Sequence, residues 1–148
     1  MKGISLEILI DADYRRVFQV VADPRIYADA IPDVIQMEVL SEPYGVIGTR
    51  VRDTRKIGDQ LISTEMEVVD YHANRSITTQ AIAYNCTWTN IFEVNPEGYQ
   101  TLLTLQVDFE PHQFFTRILI WMMRGTMRRA LQKELIHLKN YCELSIQA

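Results

Sequence analysis

The sequence predicts an α+β fold in which a curved, seven-stranded antiparallel sheet wraps around one long C-terminal helix, with two short helices after the first strand. Three observations predict it. From Asp33 to Pro111 the hydrophobic period is two residues, and turn signals at SEPYG, GD, HANR, YN and NPEG divide the region into six strands. After Pro111 the period becomes helical, and Leu119, Met123, Met127, Leu131, Leu135, Leu138 and Cys142 form one apolar stripe. A lone helix over about 113–144 cannot bury that stripe, so it requires the concave face of a sheet.

Each element has a local reason. In SLEIL, Ser5, Glu7 and Leu9 alternate with Leu6, Ile8 and Ile10, which makes the first strand. Tyr14, Val17, Phe18 and Val21 share one face of a short helix capped by Asp11 or Asp13. Asp23-Pro24 is an N-cap followed by proline at the first helical position, so a second short helix starts there and ends before Pro32.

Turn lengths set the strand register, and register decides which side chains face inward. A two-residue loop at Gly58-Asp59 pairs Ile57 with Gln60, Thr54 with Ser63, Arg52 with Glu65 and Arg50 with Glu67. On the other face Val51 meets Met66, Asp53 meets Thr64 and Arg55 meets Ile62. That face, with Ile57 and Val68, is the core side, whereas Arg50 and Arg52 are surface cations opposite acids. A turn at His72 to Arg75 pairs Tyr71 with Ser76 and sets Thr79, Ala81 and Ala83 opposite Val68, Met66 and Thr64. A turn at Tyr84-Asn85 brings Cys86, Trp88, Asn90 and Phe92 to the same face. A four-residue loop at Asn95 to Gly98 pairs Val94 with Tyr99, so that Leu103, Leu105 and Val107 fall opposite Asn90, Trp88 and Cys86.

Composition bounds the rest. At 148 residues the chain is read as one domain, long enough to bury about 70% of its unfolded surface. It is 47% hydrophobic and 23% charged, an ordinary globular composition, and its net charge of −4 argues against a general nucleic-acid binder. Cys86 and Cys142 lie far apart without metal-ligand spacing and read as buried thiols of a reducing compartment. No secretory signal precedes the first acids, and FFTRILIWMM (Phe114 to Met123) is too short to cross a bilayer, so a cytoplasmic protein is expected. His72, His112 and His137 are scattered and pair with no nucleophile, and no glycine-rich phosphate motif occurs, so no metal or cofactor is implied.

The order of elements, along essentially the whole chain, resembles the START-like, Bet v 1-like (SRPBCC) superfamily and its helix-grip fold, in its polyketide cyclase/dehydrase branch. VFQVVADPRIYADAIPDV carries the strand-helix-helix opening, GTRVRDTRKIGD the first long hairpin, EVVDYHANRSI the next strand pair and MRRALQKELIHLKNYCE the final helix. The chain departs from many relatives at Ala30-Ile31, ahead of Pro32, where they carry tryptophan. The resemblance implies an internal cavity between sheet and helix for a small apolar or aromatic, lipid- or polyketide-like metabolite.

The inward-facing residues are read as an underfilled core. Thr79, Ala81 and Ala83 are small, while Asp53, Arg55, Thr64 and Asn90 are polar, and a long helix over small residues leaves space. The expected ligand contacts are Asp53, Arg55, Thr64, Met66, Thr79, Ala81, Trp88, Asn90 and Leu105 on the sheet, with Met123 and Met127 on the helix; the alternative for Asp53 and Arg55 is a strand end where both are solvated or simply paired with each other. If the protein is instead an aromatic cyclase, Asp53 serves as acid/base and Arg55 or Asn90 polarises a carbonyl. A third reading, a membrane-associated lipid or quinone shuttle, is carried by the start of the last helix, which is apolar nearly all round. That excess is read first as cover for the cavity mouth together with a homodimer contact. Gly125 in mid-helix is read as a close approach or a kink, and RGTMRR as a solvated face, with attraction of an anionic ligand as the alternative.

Overall fold

The computed structural model describes residues 3–41 and 46–147, with side chains described as far as residue 144. The strands are β1 (Ile4–Ile10), β2 (Val34–Val39), β3 (Arg50–Ile57), β4 (Gln60–His72), β5 (Ser76–Ala83), β6 (Cys86–Glu97) and β7 (Gln100–Pro111). The helices are α1 (Tyr14–Ala22), α2 (Pro24–Ala30) and α3 (Phe114–Gln147). One seven-stranded sheet has the order β1-β7-β6-β5-β4-β3-β2, with every neighbouring pair antiparallel. This is the predicted architecture.

The two short helices form where side chains cap them. The Asp13 carboxylate accepts from the Arg15 N–H at 2.9 Å, and Val17, Phe18, Val20 and Val21 turn into the core. Asp23 ends one helix and starts the next: its N–H donates to the Gln19 carbonyl, and its carboxylate accepts from the Arg25 N–H. Ala30 and Ile31, where the chain departs from those relatives, are buried in the core, and neither lines the cavity.

β3 and β4 pair in the predicted register throughout, from Ile57–Gln60 to Arg50–Glu67. Arg52 binds Glu65 at 2.9 Å and Glu38 at 3.3 Å on the outer face. Ile57 is a correction: it is 55% exposed, because the tip of this hairpin projects past the core.

Two other registers also differ from expectation. At the β4–β5 turn His72 pairs with Ser76 and Tyr71 with Ile77, not Tyr71 with Ser76. The loop is three residues, with Asn74 at φ 60°, and a bulge between Val68 and Asp70 then restores the expected Val68–Thr79 pair. The ladder runs only as far as Glu67–Gln80, so among the described residues Met66–Ala81 and Thr64–Ala83 do not pair. At the β6–β7 turn Glu97 pairs with Gln100 around Gly98-Tyr99, so Val94 faces Leu103, Asn90 faces Val107 and Trp88 faces Phe109. Pro96 fits inside the strand for a specific reason. The Val94 N–H bonds the Arg75 carbonyl, and the proline nitrogen two residues on faces the same edge beyond the start of β5, where no ladder bond is lost. Gly98, at φ 64°, makes the tight turn. The shift is even-numbered, so every side chain keeps its predicted face.

α3 lies over the concave face and is fastened to β1: Lys139 Nζ donates to the Leu9 carbonyl, and Arg124 Nη2 to the Gly3 carbonyl, both at 3.0 Å. Its buried line is Thr116, Ile120, Leu135, Leu138 and Cys142, with Met127 and Leu131 partly buried. Leu119 and Met123 are exposed, contrary to the predicted stripe. Each step of four residues rotates about 40° around a helix, so four such steps carry Leu119 about 160° away from Leu135. Gly125 is not a close approach: an added Cβ there would meet only Arg129 Nη1, at 3.6 Å.

Candidate functional site

Between the sheet and α3 lies a cavity of about 300 Å³. β3 contributes Asp53 and Arg55, β4 contributes Thr64 and Met66, and β5 contributes Thr79, Ala81 and Ala83. Trp88, Asn90 and Phe92 line it from β6, Leu105 from β7, and Tyr27, Leu131 and Glu134 from the helices. Space survives here because three consecutive inward positions of β5 are small, and because β4 and β5 part where the ladder stops. Thr64, Met66, Thr79 and Asn90 are accordingly only half-buried, although they sit on the inner face.

Nine of the residues expected at the site therefore line one cavity: Asp53, Arg55, Thr64, Met66, Thr79, Ala81, Trp88, Asn90 and Leu105. Met123 and Met127 do not, because the rotation of α3 leaves Met123 in solvent and turns Met127 against the core.

At one end the cavity is polar. The Arg55 guanidinium forks onto Asp53, with Nη2 at 2.5 Å from Oδ2 and Nε at 3.2 Å from Oδ1. Its Nη1 stands 3.8 Å from Glu134 Oε1, the same oxygen that accepts the Tyr27 hydroxyl. Asp53 is 4% exposed and the Arg55 side chain 27%, so the pair is inward, with the guanidinium partly wetted. Burial works against the Arg55 charge, but the Asp53 hydrogen bond and the charges of Glu134 and Asp53 outweigh it and hold Arg55 above its usual value. Burial, then the neighbouring Glu134 charge, pushes the Tyr27 phenol well above its ordinary value, so it stays a neutral donor. Two carboxylates around one guanidinium give this end a formal charge of −1.

The opposite wall is different. Trp88 is committed: its Nε1–H donates to the Ala83 carbonyl at 3.0 Å, and its ring meets Phe109 edge-on at 5.2 Å. Among the described residues no hydrogen bond engages the side chains of Thr64, Thr79 or Asn90. Those three present unused donors and acceptors to the space.

Sequence reasoning missed Tyr27 and Glu134. Glu134 had a readable signal, since it stands three residues after Leu131 and four before Leu138, on the edge of the buried stripe. Tyr27 had none beyond its aromatic character, because its partner is set by where α3 crosses α2.

A family model described as polyketide cyclase / dehydrase and lipid transport matches residues 1–143. No curated protein matches the chain. Among solved structures, a protein from Thermus thermophilus superposes with TM-score 0.79 at 17% identity, covering 99% of each chain. The di-domain ARO/CYC BexL of the BE-7585A biosynthetic pathway gives TM-score 0.83 at 16% identity, over 100% of this chain and 48% of that one. Norcoclaurine synthase from Thalictrum flavum, solved with dopamine and hydroxybenzaldehyde, gives 0.73 at 13% identity, over 99% and 87% of the two chains. At these identities the likeness is one of fold.

Proposed function

The chain belongs to the polyketide cyclase/dehydrase and lipid transport family, and from that premise we propose that it binds one small, largely apolar metabolite between its sheet and α3. One observation carries the reading. The mid-sheet positions Thr79, Ala81 and Ala83 leave a cavity, and the uncommitted Thr64, Thr79 and Asn90 side chains converge on it from the sheet. An apolar space with a few placed polar groups is the usual form of a small-molecule site, and about 300 Å³ lies at the small end of such sites. The formal charge of −1 at the Asp53–Arg55–Glu134 end favours a neutral or amine-bearing compound over a carboxylate.

Native mass spectrometry of the purified protein, followed by denaturation, tests for a retained compound. Thermal-shift titration with decanol, decylamine and decanoate tests its class. Stabilisation by the alcohol and the amine is expected. No shift with any of the three would overturn the apolar cavity as a binding site, and preference for decanoate would overturn the charge argument.

A catalytic reading is supported by the Glu134–Tyr27 pair. Both oxygens of Asp53 are held by Arg55, which makes it a poor acid/base, whereas Glu134 offers a cavity-facing carboxylate with a neutral phenol attached. In a cyclase, Glu134 would take the proton alpha to a carbonyl of a poly-β-keto chain, and Asn90 would polarise that carbonyl. Turnover of such a substrate that survives Glu134→Gln unchanged would sink this assignment.

A further inference from the structure

One end of the molecule is apolar beyond anything the cavity requires. The β5–β6 turn and the start of α3 meet there, since Cys86 pairs with Pro111 and the His112 N–H bonds the Asn85 carbonyl, and the β3–β4 hairpin turns at the same end of the sheet. On the first turns of α3, Phe114, Phe115, Trp121 and Met122 are 68–76% exposed. Leu61, Ile82 and Tyr84 on the adjoining strand ends are exposed to a similar degree. The same helix is strongly basic. Between Pro111 and Lys133 it carries Arg117, Arg124, Arg128, Arg129 and Lys133 and no acid, within a chain whose net charge is −4.

We propose that this end docks on an anionic lipid bilayer, with the Phe114–Met122 turns in the interface and the arginines behind them at the phosphates. The charge pattern selects the occupant. An apolar tip followed by cations matches a surface that is apolar within and negative at its headgroups. A second copy of this chain is a poorer fit, because a two-fold contact through the same patch would set these cations against their own counterparts. Tyr84 belongs both to this surface and to the cavity lining, so docking would place one wall of the cavity beside the bilayer. No helix among the described residues is long and apolar enough to span a membrane, so the contact is peripheral. The proposal stands on the surface alone and does not depend on the identity of the cavity ligand.

Vesicle sedimentation tests it with the intact protein. Vesicles of phosphatidylcholine alone are compared with vesicles containing about 30% phosphatidylglycerol. The protein is expected to sediment with the anionic vesicles, to be released by about 0.5 M salt, and to show a blue shift of Trp121 emission on binding. Arg128→Glu with Arg129→Glu should weaken binding by at least about tenfold. Trp121→Glu with Met122→Glu should do the same without lowering the melting temperature, since both side chains are already in solvent. Three results would each overturn the proposal: protein left in the supernatant with anionic vesicles, salt-resistant binding equal on both vesicle types, or a solution dimer that the Trp121→Glu, Met122→Glu pair splits into monomers.

Discussion

Arg55 lays its guanidinium across both oxygens of Asp53, two residues away on the same strand, so that a charged pair from a solvent-facing hairpin closes inside the sheet. The inner-face partner of Asp53 is Thr64, which supplies no counter-charge, so the aspartate depends on Arg55. Removing one partner of a fully buried pair costs about 3–5 kcal/mol. The Arg55 side chain is 27% exposed, so screening reduces this, and Asp53→Asn should destabilise the fold by about 1–3 kcal/mol. Urea unfolding measures it, and a loss below about 0.5 kcal/mol would show that the pair is effectively solvated.

The Tyr27 phenol gives a pH signature. Its folded pKa is raised above the ordinary 10.0, by burial first and then by Glu134. The folded state therefore holds this proton longer than the unfolded chain does. The contribution to stability is complete below about pH 10 and is lost as pH rises from there through the folded value. Tyr27→Phe should remove this alkaline limb and cost about 1–2 kcal/mol at neutral pH, through the lost hydrogen bond to Glu134. Identical alkaline unfolding curves for both proteins would refute the assignment.

Much of the fold and of the cavity is legible in the sequence. The β3–β4 register follows from one glycine turn, and that register alone turns Asp53 and Arg55 inward. Pro96 misleads because proline usually marks a loop, whereas here it pairs with Thr101 of β7 on one side and its nitrogen faces the other edge, beyond the start of β5. The helical stripe misleads because steps of four residues drift around the helix, which the apolar letters of Leu119 and Met123 do not reveal. The Glu134–Tyr27 contact joins residues 107 apart, and no local pattern specifies a crossing of that kind.

Filling the cavity should separate binding from folding. Ala81 lies inward and opposite Trp88 on the β5–β6 ladder. Ala81→Leu should abolish the thermal shift given by decanol while changing stability by no more than about 1–2 kcal/mol. Undiminished binding would place the ligand elsewhere.

Tyr84 holds φ 55°, a conformation that costs a bulky side chain about 1–2 kcal/mol, yet it lines the cavity and stands 70% exposed. Tyr84→Gly should raise stability by about 0.5–1 kcal/mol, after the extra entropy of glycine in the unfolded chain, and weaken ligand binding. A variant that is both less stable and equally active in binding would contradict the idea that strain is retained for function.

The thiols should be silent. Cys86 and Cys142 are buried and unlinked, and burial raises both, Cys142 to about 11. Neither should react with a disulfide reagent at about pH 8 until the protein is unfolded, when both should react. Fast labelling of the native protein would expose an opening motion near one of them.

The pairing of β1 with β7 also governs how the chain can fold. Ile4 must meet Val107, roughly a hundred residues later, before the sheet has its first strand in place. Local hairpins such as β3–β4 can zip early, but loop-closure entropy delays that last join and places the protein among slow, topology-limited folders. During synthesis the first strand waits until β7 has emerged. α3, which is fastened to that strand through Lys139 and Arg124, can lock down only afterwards.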